Sequence, residues 1–279
     1  MNIDFEEQFH KRDFIQTSLG KIETVDITPE RPRITIPILF APGWRETPEL
    51  QKECLFEVYS SGRRVITLIH TKKLSIISKQ KEYPDVELQK AETLLEILSA
   101  KSIEKVDVIT HSEGALNVAI AASLKPKQFR NLVLVAPAGL SGTNSIANIT
   151  VGFIKHITQD GALPLITRKV QIKSHREKIN ILKNASLALK EGKAIAAYDI
   201  HPLLLNLKKK GVRTAVLVGK KDTVFPLKKV KSHLSKLSDD ARFGFDVFAT
   251  KPGGHDLYSK PHEIMQQVER MLEELEAKN

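Results

Sequence analysis

Short apolar runs alternate with segments of helical periodicity along most of this chain, and that rhythm limits what it can fold into. The runs are Ile34–Phe40, Val65–Ile69, Val106–Ile109, Leu132–Val135, Ala215–Val218 and Phe245–Phe248. Between and after them lie amphipathic stretches at roughly 47–60, 85–100, 114–124, 226–237 and 261–276, the last opened by Pro261, which suits a first helical turn. The central runs are almost continuously apolar, as strands buried on both faces are. Strand–helix alternation of this kind predicts an α/β fold: a mainly parallel central sheet with helices on both faces. Two polar-alternating stretches around Gly20, Phe14–Leu19 and Lys21–Asp26, read as a hairpin that adds antiparallel strands at one edge.

The rhythm breaks once. From Ser141 to about Ile200 there is no convincing strand, and Ile179–Leu189 is the clearest of several helix-compatible stretches. An insertion this long between two core strands exceeds a plain loop and reads as a helical cap. The expected organisation is a core formed by residues 1–140 and 201–279, with a cap at 141–200.

Composition excludes several classes. Apolar residues make up 41% and charged residues 27% of the 279, an ordinary balance for a water-soluble globular chain. No apolar run approaches the ~20 residues of a membrane span, and the N-terminal stretch lacks the apolar core of a signal peptide. The single cysteine, Cys54, excludes an intrachain disulfide and suits a reducing compartment, so the expected location is cytoplasmic. The net charge of +10 is regional: residues 141–200 carry +5, residues 201–237 carry +9, and the rest sums to −4. Lys208-Lys209-Lys210, Lys220-Lys221 and Lys228-Lys229 lack interleaved aromatics, which argues against a nucleic-acid surface. They form either a solvated face or an attractor for an anionic substrate. Histidines 10, 70, 156, 175, 201 and 233 show no metal-ligand spacing, so neither a metal nor a cofactor is expected.

The chemistry concentrates at strand ends, where open parallel sheets bind ligands. Val106–Ile109 runs into Thr110-His111-Ser112-Glu113-Gly114 and then a helical stretch, Ala115–Leu124. A serine on a sharp strand-to-helix turn has the setting of a nucleophile elbow, which demands small neighbours two residues to either side. Gly114 meets that demand; Thr110 is bulkier than the usual glycine. Ala215–Val218 ends in Gly219-Lys220-Lys221-Asp222, and Phe245–Phe248 is followed by Gly253-Gly254-His255. A serine hydroxyl needs a base such as histidine, and that histidine needs a carboxylate to fix its tautomer and stabilise the imidazolium. Each residue also has a plainer reading: Ser112 as a helix cap, Asp222 as a turn former, His255 as a loop residue. His262 falls in the first turn of the last helix, while Arg45 and Glu46 read equally as substrate contacts or surface charges.

With Ser112, Asp222 in Gly-x-x-Asp-x-x-x-Pro, and His255 in Gly-Gly-His-Asp, the chain resembles the α/β-hydrolase fold superfamily over most of its length. The resemblance implies a Ser112–His255–Asp222 triad and a cap inserted after Leu132–Val135. It also implies an oxyanion hole formed by the backbone N–H groups of Trp44 and Glu113. Pro42-Gly43 stands where many members have His-Gly. The implied activity is that of a serine hydrolase, most simply an esterase acting on a small acyl substrate, with thioester, lactone, acylglycerol and peptide bonds left open. A serine rather than an aspartate at the elbow argues against the dehalogenase and epoxide hydrolase members. The alternative is a ligand-binding protein that keeps the fold without turnover.

Overall fold

A computed structural model of the chain describes residues 3–70, 82–142, 148, 185–235, 244–248, 254–255, 257–258 and 260–277. The elements run α1 (Ile3–His10), β1 (Asp13–Thr17), β2 (Gly20–Ile27), β3 (Ile34–Ala41), α2 (Pro48–Ser60), β4 (Arg63–Leu68), α3 (Asp85–Ala100), β5 (Val106–His111) and α4 (Gly114–Leu124). They continue with β6 (Phe129–Val135), α5 (Ala185–Ala197), α6 (His201–Lys209), β7 (Arg213–Gly219), α7 (Leu227–Leu234), β8 (Gly244–Phe248) and α8 (Pro261–Glu276). The strands form one eight-stranded sheet in the order β1-β2-β4-β3-β5-β6-β7-β8. From β4 to β8 every pairing is parallel, whereas β1/β2 and β2/β4 are antiparallel. The hairpin expected around Gly20 is that antiparallel edge, with Gly20 at a φ of 100° where a side chain would be strained.

Strand parity divides the core in two. Leu39, Ile66, Val108, Leu132, Leu134, Val216 and Val218 face α3, α4 and α6. Ile38, Phe40, Val65, Ile109, Val133, Val135, Ala215 and Leu217 face α1, α2 and α8. Successive strand residues point to opposite faces, so continuous apolar runs follow directly from helices on both sides. Helix α4 is buried from Gly114 to Ala122 because it lies between the sheet and other helices and has no solvent face. Helix α8 instead carries one apolar stripe, Ile264, Met265, Val268, Met271, Leu272 and Leu275, laid against the sheet.

Among the described residues, helices α1 and α6 were not foreseen. In α1 the spacing of Phe5 and Phe9 buries both rings beside Phe56 and Tyr59, although charges surround them in sequence. In α6 only Leu204 and Leu207 are buried, too short a stripe to stand out next to Lys208-Lys209-Lys210. Of the expected 141–200 cap, most lies outside the described residues; its final part is α5, packed on α3. The stretch Ile179–Leu189 overlaps the start of α5.

Candidate active site

Strand β5 delivers the chain to Ser112, whose φ of 49° lies in the left-handed region that L side chains avoid. Holding a non-glycine residue there costs about 1–2 kcal/mol, and neighbouring backbone supplies the restraint. The Ser112 N–H donates to the Val135 carbonyl at 3.0 Å, and the Ser112 carbonyl accepts from Ala115 at 3.2 Å and Ala138 at 3.0 Å. Gly114 is obligatory for a second reason. A Cβ there would lie 2.6 Å from the Ala41 carbonyl oxygen and 2.8 Å from that of Pro42. The elbow and the loop after β3 are therefore pressed backbone to backbone. Thr110 fits with its side chain fully buried, but its hydroxyl has no hydrogen-bond partner among the described residues.

Asp222 lies just past β7. Its Oδ1 accepts the N–H groups of Val224 at 2.8 Å and Phe225 at 2.7 Å, an Asx-type turn that fixes the carboxylate. Its Oδ2 is 3.0 Å from His255 Nδ1, and His255 Nε2 is 3.2 Å from Ser112 Oγ. Asp222 and His255 are both buried. Two glycines let their loops meet: a Cβ on Gly219 would overlap the Gly254 carbonyl, and one on Gly254 would overlap the Asp222 backbone nitrogen. The Phe225 ring stands edge-on to the imidazole at 5.3 Å and shields that side of it. The structure thus brings Ser112, His255 and Asp222 together from three strand ends.

Sequence reasoning missed the group that holds the His255 loop. His111 Nε2 lies 2.9 Å from the His255 carbonyl oxygen, and its Nδ1 contacts Glu46 Oε1. Both ring nitrogens face acceptors, so both carry protons and the ring is an imidazolium paired with the Glu46 carboxylate. Glu46 Oε2 accepts the Gly43 N–H at 2.6 Å and the Tyr258 hydroxyl. Burial acts to raise the Glu46 carboxyl, but the charge and hydrogen bond of His111, with the bonds from Tyr258 and Gly43, bring it below the ordinary value. Burial and the Glu46 charge push the Tyr258 phenol well up, which keeps it a donor. Glu46 is therefore neither a surface charge nor a substrate contact; it ties the loop after β3 to the elbow and to the His255 loop.

That loop carries Trp44. The backbone N–H groups of Trp44 and Glu113 have no protein acceptor among the described residues. The Trp44 indole donates to Glu191 Oε2 at 2.8 Å, and the Arg45 guanidinium stacks over the Trp44 ring while lying 3.7 Å from the same carboxylate. Glu191 belongs to α5, so this helix fixes the loop from above. Glu191 Oε1 and Glu113 Oε1 are 3.0 and 2.7 Å from Lys90 Nζ, a buried ammonium on α3. Burial acts to lower Lys90, but Glu113, Glu87 and Glu191 more than reverse that, and it stays charged. Glu87 forms no ion pair among the described residues, though the Lys90 charge acts on it. Burial, then the Glu113 charge, push its carboxyl well up, and neither of its oxygens has a hydrogen-bond partner among the described residues.

Elsewhere, His262 sits in the first turn of α8 as expected and pairs with Glu57. Lys220 and Lys221 are exposed in the same turn as Asp222. Among the described residues no helix is long and apolar enough to cross a membrane.

No family model and no curated protein matches the chain. Solved structures do. A structure from a study of carboxylesterases of Nitrososphaera gargenis is 15% identical, with a TM-score of 0.65 over 96% of this chain and 100% of that one. An esterase from Thermogutta terrifontis is 19% identical, with a TM-score of 0.60 over 95% and 99%. An enol-lactonase from Burkholderia xenovorans is 15% identical, with a TM-score of 0.61 over 93% and 99%. Strand order, parallel pairing and likeness across nearly the whole of each chain agree: this chain has the α/β-hydrolase fold.

Proposed function

We propose that the chain is a serine hydrolase that cleaves carboxylic esters or lactones through an acyl-enzyme. The observation that carries this reading is His255, bridging Asp222 at 3.0 Å and Ser112 at 3.2 Å inside a buried site. Asp222 accepts a hydrogen bond from the Nδ1–H of His255, which leaves Nε2 as the base. As Ser112 Oγ attacks the substrate carbonyl, its proton passes to Nε2, and Asp222 stabilises the imidazolium. The backbone N–H groups of Trp44 and Glu113, which have no acceptor among the described residues, donate to the oxyanion, each contributing roughly 3–4 kcal/mol to the barrier reduction. His255 then protonates the leaving alcohol as the tetrahedral intermediate collapses. Water, deprotonated by His255, releases the acid and restores Ser112.

Ester and lactone substrates are favoured because structural neighbours are named as esterases and as an enol-lactonase. Lys220 and Lys221, exposed beside Asp222, favour an acyl substrate with an anionic group. Residues 141–200 are read as the cap over this site, and Cys54, buried and in no disulfide, fits a cytoplasmic location.

A fluorophosphonate probe tests the activity. Wild type should be labelled and Ser112→Ala should not; a folded wild type that stays unlabelled refutes the reading. On an ester panel, KM for anionic substrates should rise with salt, and a flat response removes the anionic preference.

A further inference from the structure

Away from the triad, where the chain returns from the 141–200 insertion to the sheet, three metal-ligating side chains converge. Asp199 and His201 flank Ile200 at the start of α6, and His233 lies in the last turn of α7. One donor atom from each lies within 4.8 Å of the other two. The turn itself is fixed, because the Ile200 N–H donates to the Gly139 carbonyl at 3.1 Å.

As a hydrogen-bond cluster, this group is incomplete. Asp199 Oδ1 takes both the His201 backbone N–H at 2.9 Å and His233 Nε2 at 3.0 Å. The His201 ring stands against the His233 ring at 5.1 Å, and its Nε2 is sealed from solvent without a partner among the described residues. A buried polar group left unpaired is destabilising. A cation that accepts a lone pair from each of the three residues removes that deficit.

We propose that Asp199, His201 and His233 bind a divalent transition metal of the zinc class, which staples the turn before α6 to α7. Two imidazoles and one carboxylate match the ligand preferences of zinc and not those of magnesium or calcium, which take oxygen donors. Tetrahedral zinc holds its ligand atoms about 3.3–3.5 Å apart. The Asp199–His233 pair is already near that spacing at 3.0 Å, and the His201 donor lies within 4.8 Å of both. Sequence spacing conceals the site, since the residues at 199, 201 and 233 become neighbours only when α6 and α7 pack on the same side of β7.

Isothermal titration of the full chain with zinc ions tests this, with cobalt as a spectroscopic substitute. The expected result is one ion per chain, visible bands of four-coordinate cobalt, and a thermal midpoint raised by zinc and returned by chelator. His201→Ala and His233→Ala should each weaken binding by about 100-fold or more, and His262→Ala should leave it unchanged. Should an alanine variant fail to fold, His201→Gln, which retains a polar side chain of similar reach, takes its place. The proposal is overturned if wild type binds no zinc, or if folded His201 and His233 variants bind it as wild type does.

Discussion

Replacing Lys90 with methionine keeps the volume of the side chain and deletes the cation that Glu113 and Glu191 share. The least costly response is for Glu113 to take up a proton, since burial already pushes its carboxyl up and Lys90 is what draws it down. Holding a proton at pH 7 on a group with an ordinary value of 4.5 costs about 3.4 kcal/mol, at about 1.36 kcal/mol per pH unit. At pH 5 the same proton costs about 0.7 kcal/mol. The larger figure is a ceiling, because part of the rise exists in the wild type, and it matches the ~3–5 kcal/mol usual for breaking a buried ion pair. A carboxyl raised in the folded state stabilises below its unfolded value and loses that contribution as pH rises through the folded one. The variant's deficit therefore grows with pH. His70 adds to the trend with the same sign. Burial, then the Lys90 charge, hold it down at about 3, so the wild type loses stability as pH falls below 6.5, and the variant loses less. Urea unfolding of wild type, Lys90→Met and Lys90→Met/Glu113→Gln at pH 5 and pH 7 measures this. The single variant should lose about 3 kcal/mol at pH 7 and about 1 kcal/mol at pH 5, and the double variant should recover most of the loss. An equal deficit at both pH values, or a double variant no better than the single, refutes the reasoning.

Ser112→Gly should be more stable than Ser112→Ala by about 1 kcal/mol in urea unfolding, because glycine alone occupies a φ of 49° without strain. Both variants should be unlabelled by fluorophosphonate. Thr110→Val should be neutral or stabilise by up to about 1 kcal/mol, since it removes a buried hydroxyl that has no partner among the described residues; a clear loss of stability would show that the hydroxyl is satisfied. Glu46→Gln should destabilise by about 3 kcal/mol near neutral pH by leaving the His111 imidazolium without its counter-ion. A carboxyl lowered in the folded state contributes above its unfolded value, so the gap to wild type should close as pH falls below about 4.5 in unfolding titrations.

The core strands, the edge hairpin and helices α2, α3, α4, α7 and α8 were all legible as periodicity, because each is a local consequence of which faces are buried. Ser112, Asp222 and His255 could be singled out as candidates from turn signatures instead, glycines and small residues just past a strand. Helix α1 was hidden, since two phenylalanines among charges acquire meaning only when Phe56 and Tyr59 supply a surface for them. Glu46 and His111 were hidden for the same reason: nothing in the segments around residues 46 and 111 says that one carboxylate will bind the Gly43 N–H, the Tyr258 hydroxyl and an imidazolium at once.

The chain's own pattern of apolar runs and turns determined the architecture and named the three residues of the proposed triad, because burial and turn geometry act over a few neighbouring positions. Tertiary structure alone decided their distances, the backbone contacts at Gly114, Gly219 and Gly254, and the placement of Lys90 among Glu87, Glu113 and Glu191. It also decided the meeting of Asp199, His201 and His233. Those are relations between segments far apart in the chain, and charge–charge and donor–acceptor interactions depend on distance through space, which the order of residues does not record.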